Sequence, residues 1–276
     1  MMADETTTPE AELGAPLSGR SVLVTRTRQQ AHSLVEPLEE LGAEVLAMPV
    51  LETVDPQDWA PVDVAIASIG EYDWIIFTST NGVDSFLRRF RESHGDYDDL
   101  ASTCMAAVGS ATAHRMRAQG FPPTIVPDDY RAEGLVAAFD AMDAQACRRV
   151  LIPRAEEARE VLPEALRAMG CLVDVVVVYR TVPAASDPEI ISRLRERTID
   201  VATFTSGAIA GAFLDAISSE GLDGPDTMGA MVVASIGPIT TAALQRLGYE
   251  ADVEATESTM GALVGAVVDH FSDDDG

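Results

Sequence analysis

Short apolar runs rich in Val, Ile and Ala alternate along the chain with longer stretches in which apolar residues recur at helical spacing. The runs predict strands at 21–25, 44–48, 73–78, 105–108, 123–126, 149–153, 172–178, 200–205, 231–236 and 250–253. Between them the 3.6-residue period predicts helices at 29–41, 82–91, 111–119, 157–169, 208–218 and 239–247. The strands are apolar throughout instead of alternating, so both faces of each sheet are expected to be covered. That is the pattern of α/β architecture with doubly wound parallel sheets. Residues 1–17, with a threonine run and two prolines, and Ser272 to Gly276, with three aspartates, read as solvated tails.

The pattern occurs twice. Val22-Leu23 and Arg26 return 128 positions later as Val150-Leu151 and Arg154, Leu41-Gly42 as Met169-Gly170, and Thr53-Val54 as Thr181-Val182. Phe77-Thr78-Ser79 returns as Phe204-Thr205-Ser206, one residue short of that offset. Val108-Gly109 with Thr112 matches Ile236-Gly237 with Thr240, Gly120-Phe121 matches Gly248-Tyr249, and Leu135-Val136 matches Leu263-Val264. Registration over most of the chain identifies an internal duplication.

In open α/β sheets ligands bind beyond the carboxyl ends of the strands, and the strand-to-helix turns are where the repeat is best preserved. Thr78-Ser79-Thr80-Asn81-Gly82, Thr205-Ser206-Gly207, Gly109-Ser110-Ala111-Thr112 and Gly237-Pro238-Ile239-Thr240 each leave a strand and open a helix. Hydroxyls and free N–H groups at helix starts form anion sites without formal positive charge. The same residue types are also what helix N-caps require. Four matched turns in two copies favour a shared anionic ligand.

Composition narrows the chemistry. The net charge of −26 disfavours nucleic acid and anionic membranes, because phosphate binding needs Lys and Arg to release counterions. All 19 basic residues are arginine, so Schiff-base chemistry, pyridoxal-phosphate anchoring and the lysine of a Walker loop are excluded. No Gly-x-Gly-x-x-Gly fingerprint follows a strand, and the four histidines are scattered. Cys104, Cys147 and Cys171 lie at no metal-ligand spacing and read as buried small apolar residues. No cofactor and no metal are expected. Residues 1–12 are acidic and lack the parts of a signal peptide, and no apolar run spans a membrane. A cytoplasmic monomer is expected.

The chain resembles the uroporphyrinogen-III synthase family over residues 21–271. The resemblance is carried by Val22-Leu23-Val24-Thr25-Arg26, the turn from Phe77 to Val83, Val108-Gly109 with Thr112-Ala113, Tyr179-Arg180-Thr181-Val182, Phe204-Thr205-Ser206 and Ile236-Gly237-Pro238-Ile239-Thr240-Thr241. It implies two similar α/β domains joined by a two-stranded linker, with a deep cleft between them. It also implies that the domains do not coincide with the duplicated units: one would combine residues 18–50 with 184–272, the other would be 55–177, and 51–54 and 178–183 would be the linkers. The matched Thr53-Val54 and Thr181-Val182 segments fall where such crossings would occur.

The resemblance further implies a lyase whose substrate is hydroxymethylbilane, a linear chain of four pyrroles carrying acetate and propionate groups. Loss of its terminal hydroxyl gives an electrophilic azafulvene, the substituted carbon of the last ring attacks to form a spiro intermediate, and that ring rejoins reversed. Unassisted closure gives the unrearranged isomer, so positioning is the main task, helped by a proton donor. Tyr179 matches the family tyrosine and is the expected catalytic donor; by itself a tyrosine there would also serve as an amphipathic strand-end residue. Expected substrate contacts are Ser79, Thr80, Asn81, Gly109, Thr112, Ser206, Gly237 and Thr240. Arg26, Arg154 and Arg159 join them as carboxylate partners, although an arginine ending a strand is often a surface charge. Some relatives carry an arginine where this chain has Asn81. The competing reading is a non-catalytic two-domain clamp for a tetrapyrrole or other polyanion.

Overall fold

The computed structural model describes residues 15–94, 97–128, 132–141 and 149–274. Its elements run in the order β1 (Ser21–Val24), α1 (Arg28–Glu40), β2 (Glu44–Ala47), β3 (Leu51–Val54), α2 (Ala60–Ala67), β4 (Trp74–Phe77), α3 (Thr80–His94), β5 (Cys104–Ala107), α4 (Ser110–Ala118) and α5 (Ala132–Asp140). They continue with β6 (Arg149–Ala155), α6 (Val161–Ala168), β7 (Leu172–Pro183), α7 (Pro188–Glu196), β8 (Val201–Phe204), α8 (Gly207–Ser219), α9 (Gly224–Met228), β9 (Val232–Ser235), α10 (Pro238–Arg246), β10 (Val253–Glu254) and α11 (Met260–Asp274).

The chain forms two compact units, one from the residues up to Glu52 with those from Pro183 on, the other Thr53–Val182. The first holds a sheet of order β10-β9-β8-β1-β2, the second one of order β3-β7-β6-β4-β5. Each sheet takes strands from both copies of the repeat, and the registers match. Val201 lies opposite Val22 in the first sheet, and Trp74 lies opposite Val150 in the second. Those positions are related by the repeat offsets, so four strands of each sheet are one topology built twice with strands exchanged between copies, and the fifth differs: β10 lies beside β9 in the first sheet and β3 beside β7 in the second.

Pro49 accounts for part of this exchange. It has no N–H to give a ladder and ends a strand. The first copy therefore breaks into β2, in one sheet, and β3, in the other. The corresponding residue of the second copy is Val177, and there β7 runs unbroken for 12 residues. Positions 51–54 and 178–183, expected as linkers, are thus β3 and the end of β7, which are neighbours in one sheet.

Side-chain alternation feeds a core on each sheet face. Leu23, Ala202 and Phe204 pack with α7 and α8, while Val22, Val24 and Val201 pack with α1 and α11. In the other unit Ile75 and Phe77 pack with α2, α3 and α4, and Trp74 and Ile76 with α5 and α6. Both faces are covered, which is why the strands read as unbroken apolar runs.

Several expectations need correction. The strand at 123–126 is a single bridge from Ile125 to Ala106, and the helix expected from 157 starts at Val161. Leu17, assigned to a tail, is fully buried, and its N–H donates to the Leu41 carbonyl at 2.9 Å. Ser272 and the two aspartates after it are the last residues of α11. Cys171 is buried as expected, but Cys104 is exposed; Cys147 lies outside the described residues. No helix among the described residues is long and apolar enough to cross a membrane.

Candidate active site

The β4–α3 turn places its serine by helix capping. Ser79 Oγ accepts the Gly82 N–H at 3.0 Å, satisfying one of the donors that a helix start leaves without a partner. Gly82 matters sterically, because a Cβ there would sit 3.1 Å from Ser79 Oγ and 3.2 Å from the Pro153 carbonyl. The same Ser79 Oγ lies 3.0 Å from Tyr179 Oη, and either can donate. Tyr179 is in β7, not in a free linker, and is 8% exposed.

An irregularity in the ladder aims that tyrosine. Arg154 pairs with Val177, yet Ala155 pairs with Tyr179, skipping Val178. Regular alternation would send Val178 and Tyr179 to opposite faces, but both belong to the same core cluster. An extra residue in a strand re-aims the side chains beyond it, and the Tyr179 carbonyl is fixed by the Glu156 N–H at 3.1 Å.

The other candidates of this unit stand around the sheet's carboxyl end. Thr80 is half-buried at the start of α3. Asn81 Nδ2 donates to Thr53 Oγ1 at 3.1 Å, tying α3 to β3. Gly109 caps α4 with φ −128°, and Thr112 in its first turn is 4% exposed. Arg154 is buried: it is paired with Glu160, Nη1 donates to the Arg159 carbonyl at 3.1 Å, and its buried Nε has no acceptor among the described residues. The Arg159 side chain is exposed. Arg154 is therefore a structural clamp on the β6–α6 loop as well as a cation.

In the other unit, Ser206 caps α8 by accepting the Ile209 N–H at 3.2 Å. Gly237 has φ +153°, and a Cβ on it would fall 2.7 Å from Ser258 Oγ, so this turn requires glycine. Thr240 is 3% exposed. Arg26 reaches Met260 Sδ at 2.6 Å and donates to Gln30 Oε1 at 3.1 Å; burial pushes its pKa down. Sequence reasoning did not single out a neighbouring chain of polar atoms: Ser235 Oγ meets Thr241 Oγ1 at 2.6 Å, and Thr241 donates to Glu254. Thr241 belongs to the preserved turn, but its partners, 6 and 13 residues away, carry no motif.

Thus one unit brings Ser79 and Tyr179 into contact across 100 residues of chain, while Thr80, Asn81 and Arg154 flank them on α3 and β6. Among the described residues no three His, Cys, Asp or Glu side chains converge as a metal site would require. What the pair offers chemically is a buried phenol held by a hydroxyl.

A family model described as "Uroporphyrinogen-III synthase HemD" matches residues 32–265. The chain belongs to the uroporphyrinogen-III synthase family. Among curated relatives, the uroporphyrinogen-III synthase of Synechococcus elongatus is 33% identical over 255 residues, covering 91% of this chain and 96% of the relative. That of Chlorobaculum parvum is 27% identical over 237 residues, covering 85% and 92%. A crystal structure of the Helicobacter pylori uroporphyrinogen-III synthetase superposes with a TM-score of 0.60 at 18% identity, covering 91% of this chain and 99% of that one. At that identity the superposition establishes the fold, two parallel-stranded α/β units, as the family's own.

Proposed function

We propose that the chain acts as a cyclising hydro-lyase, converting hydroxymethylbilane to uroporphyrinogen III with reversal of the last ring and loss of water. The observation that carries the reading is the Tyr179 phenol, 3.0 Å from Ser79 Oγ at the carboxyl end of a parallel sheet, in a chain of this family. Tyr179 gives its proton to the departing hydroxyl, whose C–O bond breaks to release water, and the pyrrole N–H proton lost in forming the azafulvene returns to the phenolate, so that the net change is loss of water. The remaining bonds are made and broken within the substrate, so the protein's work after ionisation is to hold one conformation.

The candidate carboxylate contacts are first-turn amides and hydroxyls, at Thr80, Asn81, Gly109 and Thr112 in one unit and at Ser206, Gly237 and Thr240 in the other, where helix dipoles favour anions. Arg159 is the arginine with an exposed side chain among the three candidates; Arg26 and Arg154 contribute positive potential from buried or partly buried positions. The enzyme works as a cytoplasmic monomer without metal, nucleotide or flavin. Supplying hydroxymethylbilane to the chelator-treated protein and resolving the products tests this: predominance of the type III isomer supports it, and the type I isomer alone overturns it.

A further inference from the structure

We propose that Ser79 is a positioning residue: it accepts the Gly82 N–H and donates its own proton to Tyr179 Oη, so that the phenol keeps its proton for the substrate. The inference rests on the synthase reading and assigns a residue that would otherwise count as a substrate contact.

Hydrogen-bonding capacity allows either direction, and the phenol's task as a proton donor selects one of them. A serine hydroxyl has one proton and two acceptor sites. One acceptor site of Ser79 is taken by the Gly82 N–H. The 3.0 Å contact with Tyr179 takes either the proton or the second acceptor site. If Tyr179 donated, its only proton would be tied to Ser79 and would have to leave that bond before reaching a departing hydroxyl. If Ser79 donates, the phenol proton is unshared. The phenolate left after transfer then keeps a hydrogen bond from a hydroxyl that is itself polarised by a helix-start amide. In this sense Ser79 has no proton left for a substrate carboxylate, and its remaining acceptor site repels one. The side chain therefore works through Tyr179.

Two features of the chain hold the pair in place. Gly82 leaves room for Ser79 Oγ beneath the Pro153 carbonyl, and the skipped Val178 turns Tyr179 onto the face where Val176 and Phe77 pack. Each arises from a different strand or helix, so the contact is fixed from both sides.

Glycine is nearly as good an N-cap as serine, so Ser79→Gly deletes the hydroxyl while leaving α3 capped. In the full chain, Ser79→Gly should lower kcat about tenfold with KM changed less than about twofold, and Ser79→Thr should restore it. In a Tyr179→Phe background the same Ser79→Gly change should have no further effect. Without substrate, the Tyr179 resonance of protein carrying ring-ζ-carbon-13 tyrosine, assigned by its loss in Tyr179→Phe, should shift in Ser79→Gly and return in Ser79→Thr. Additive losses in the double variant, or an unmoved resonance in an active enzyme, would overturn the Ser79 assignment alone. No type III product from the unaltered chain would overturn the synthase reading and the proton step with it.

Discussion

The turn after Phe77 and the turn after Phe204 are one device built twice, in different units. Each strand ends at a phenylalanine followed by Thr-Ser. In each, the strand phenylalanine meets one from the following helix edge to face: Phe77 with Phe86 at 5.8 Å and 63°, Phe204 with Phe213 at 5.5 Å and 65°. In each, the serine accepts an amide of the helix it opens. The difference lies outside the turn: Ser79 Oγ also meets Tyr179 Oη, whereas the residue matching Tyr179 in the other copy, 128 positions earlier, is Leu51, an apolar side chain packed against a core. Capping explains both serines. Only the tyrosine contact is left over, and it marks the unit for which proton chemistry is proposed.

The largest expected effect comes from removing that extra contact. Tyr179→Phe keeps the ring and its packing but takes away the proton, so turnover should fall by about 10² to 10³, with circular dichroism unchanged. Because unassisted closure competes, the type I share of product should rise as turnover falls.

A second comparison concerns the glycines of the matched β5–α4 and β9–α10 turns. Gly237 has φ +153° and a Cβ there would collide with Ser258 Oγ at 2.7 Å, whereas Gly109 has open space around it and φ −128°. Gly237→Ala should therefore cost about 1–3 kcal/mol, and Gly109→Ala should be close to neutral, both read as urea midpoints. Equal costs would remove the distinction between the two turns.

Ser206→Ala should cost about 1 kcal/mol through the lost cap while saturated turnover stays close to that of the unaltered enzyme. A thermal melt and an assay on the same preparation check both halves of that statement.

A further effect is alkaline. Burial, followed by the hydrogen bond to Asp174, pushes the Tyr72 phenol up from 10.0 to about 12. The folded state holds the neutral phenol more tightly than the unfolded chain does, so this contribution is complete below pH 10 and is lost as pH rises toward 12. Tyr72 Oη donates to Asp174 at 2.8 Å, a carboxylate shared with Arg149. Tyr72→Phe should flatten the decline in stability between those pH values, and an unchanged slope in denaturant midpoints would contradict it.

Much of this was legible from the chain. Strands covered on both faces cannot alternate, so β1, β4, β8 and β9 stood out as short apolar runs, and the Phe-Thr-Ser turns announced themselves by repetition. What escaped was set by contacts between distant residues. β3 is four residues long and half polar, and it is a strand because β7 lies beside it. Leu17 looks like part of a polar tail until its N–H finds Leu41. No spacing rule joins Ser79 to Tyr179, or Thr241 to Glu254, because each pair meets only when neighbouring elements of the folded sheet converge. The tyrosine was found through family likeness; its hydrogen-bond partner needed the skipped residue at Val178, which no sequence period reveals.

Two equivalent caps thus differ in one contact, that of Ser79 with a tyrosine. The most direct test is saturated turnover of hydroxymethylbilane by Ser79→Gly and Ser206→Gly proteins measured side by side, each change removing one hydroxyl and leaving a glycine cap. A loss of about tenfold for Ser79→Gly, with Ser206→Gly within about twofold of the unaltered enzyme, is the predicted result; equal losses, or the larger loss at Ser206, would contradict it.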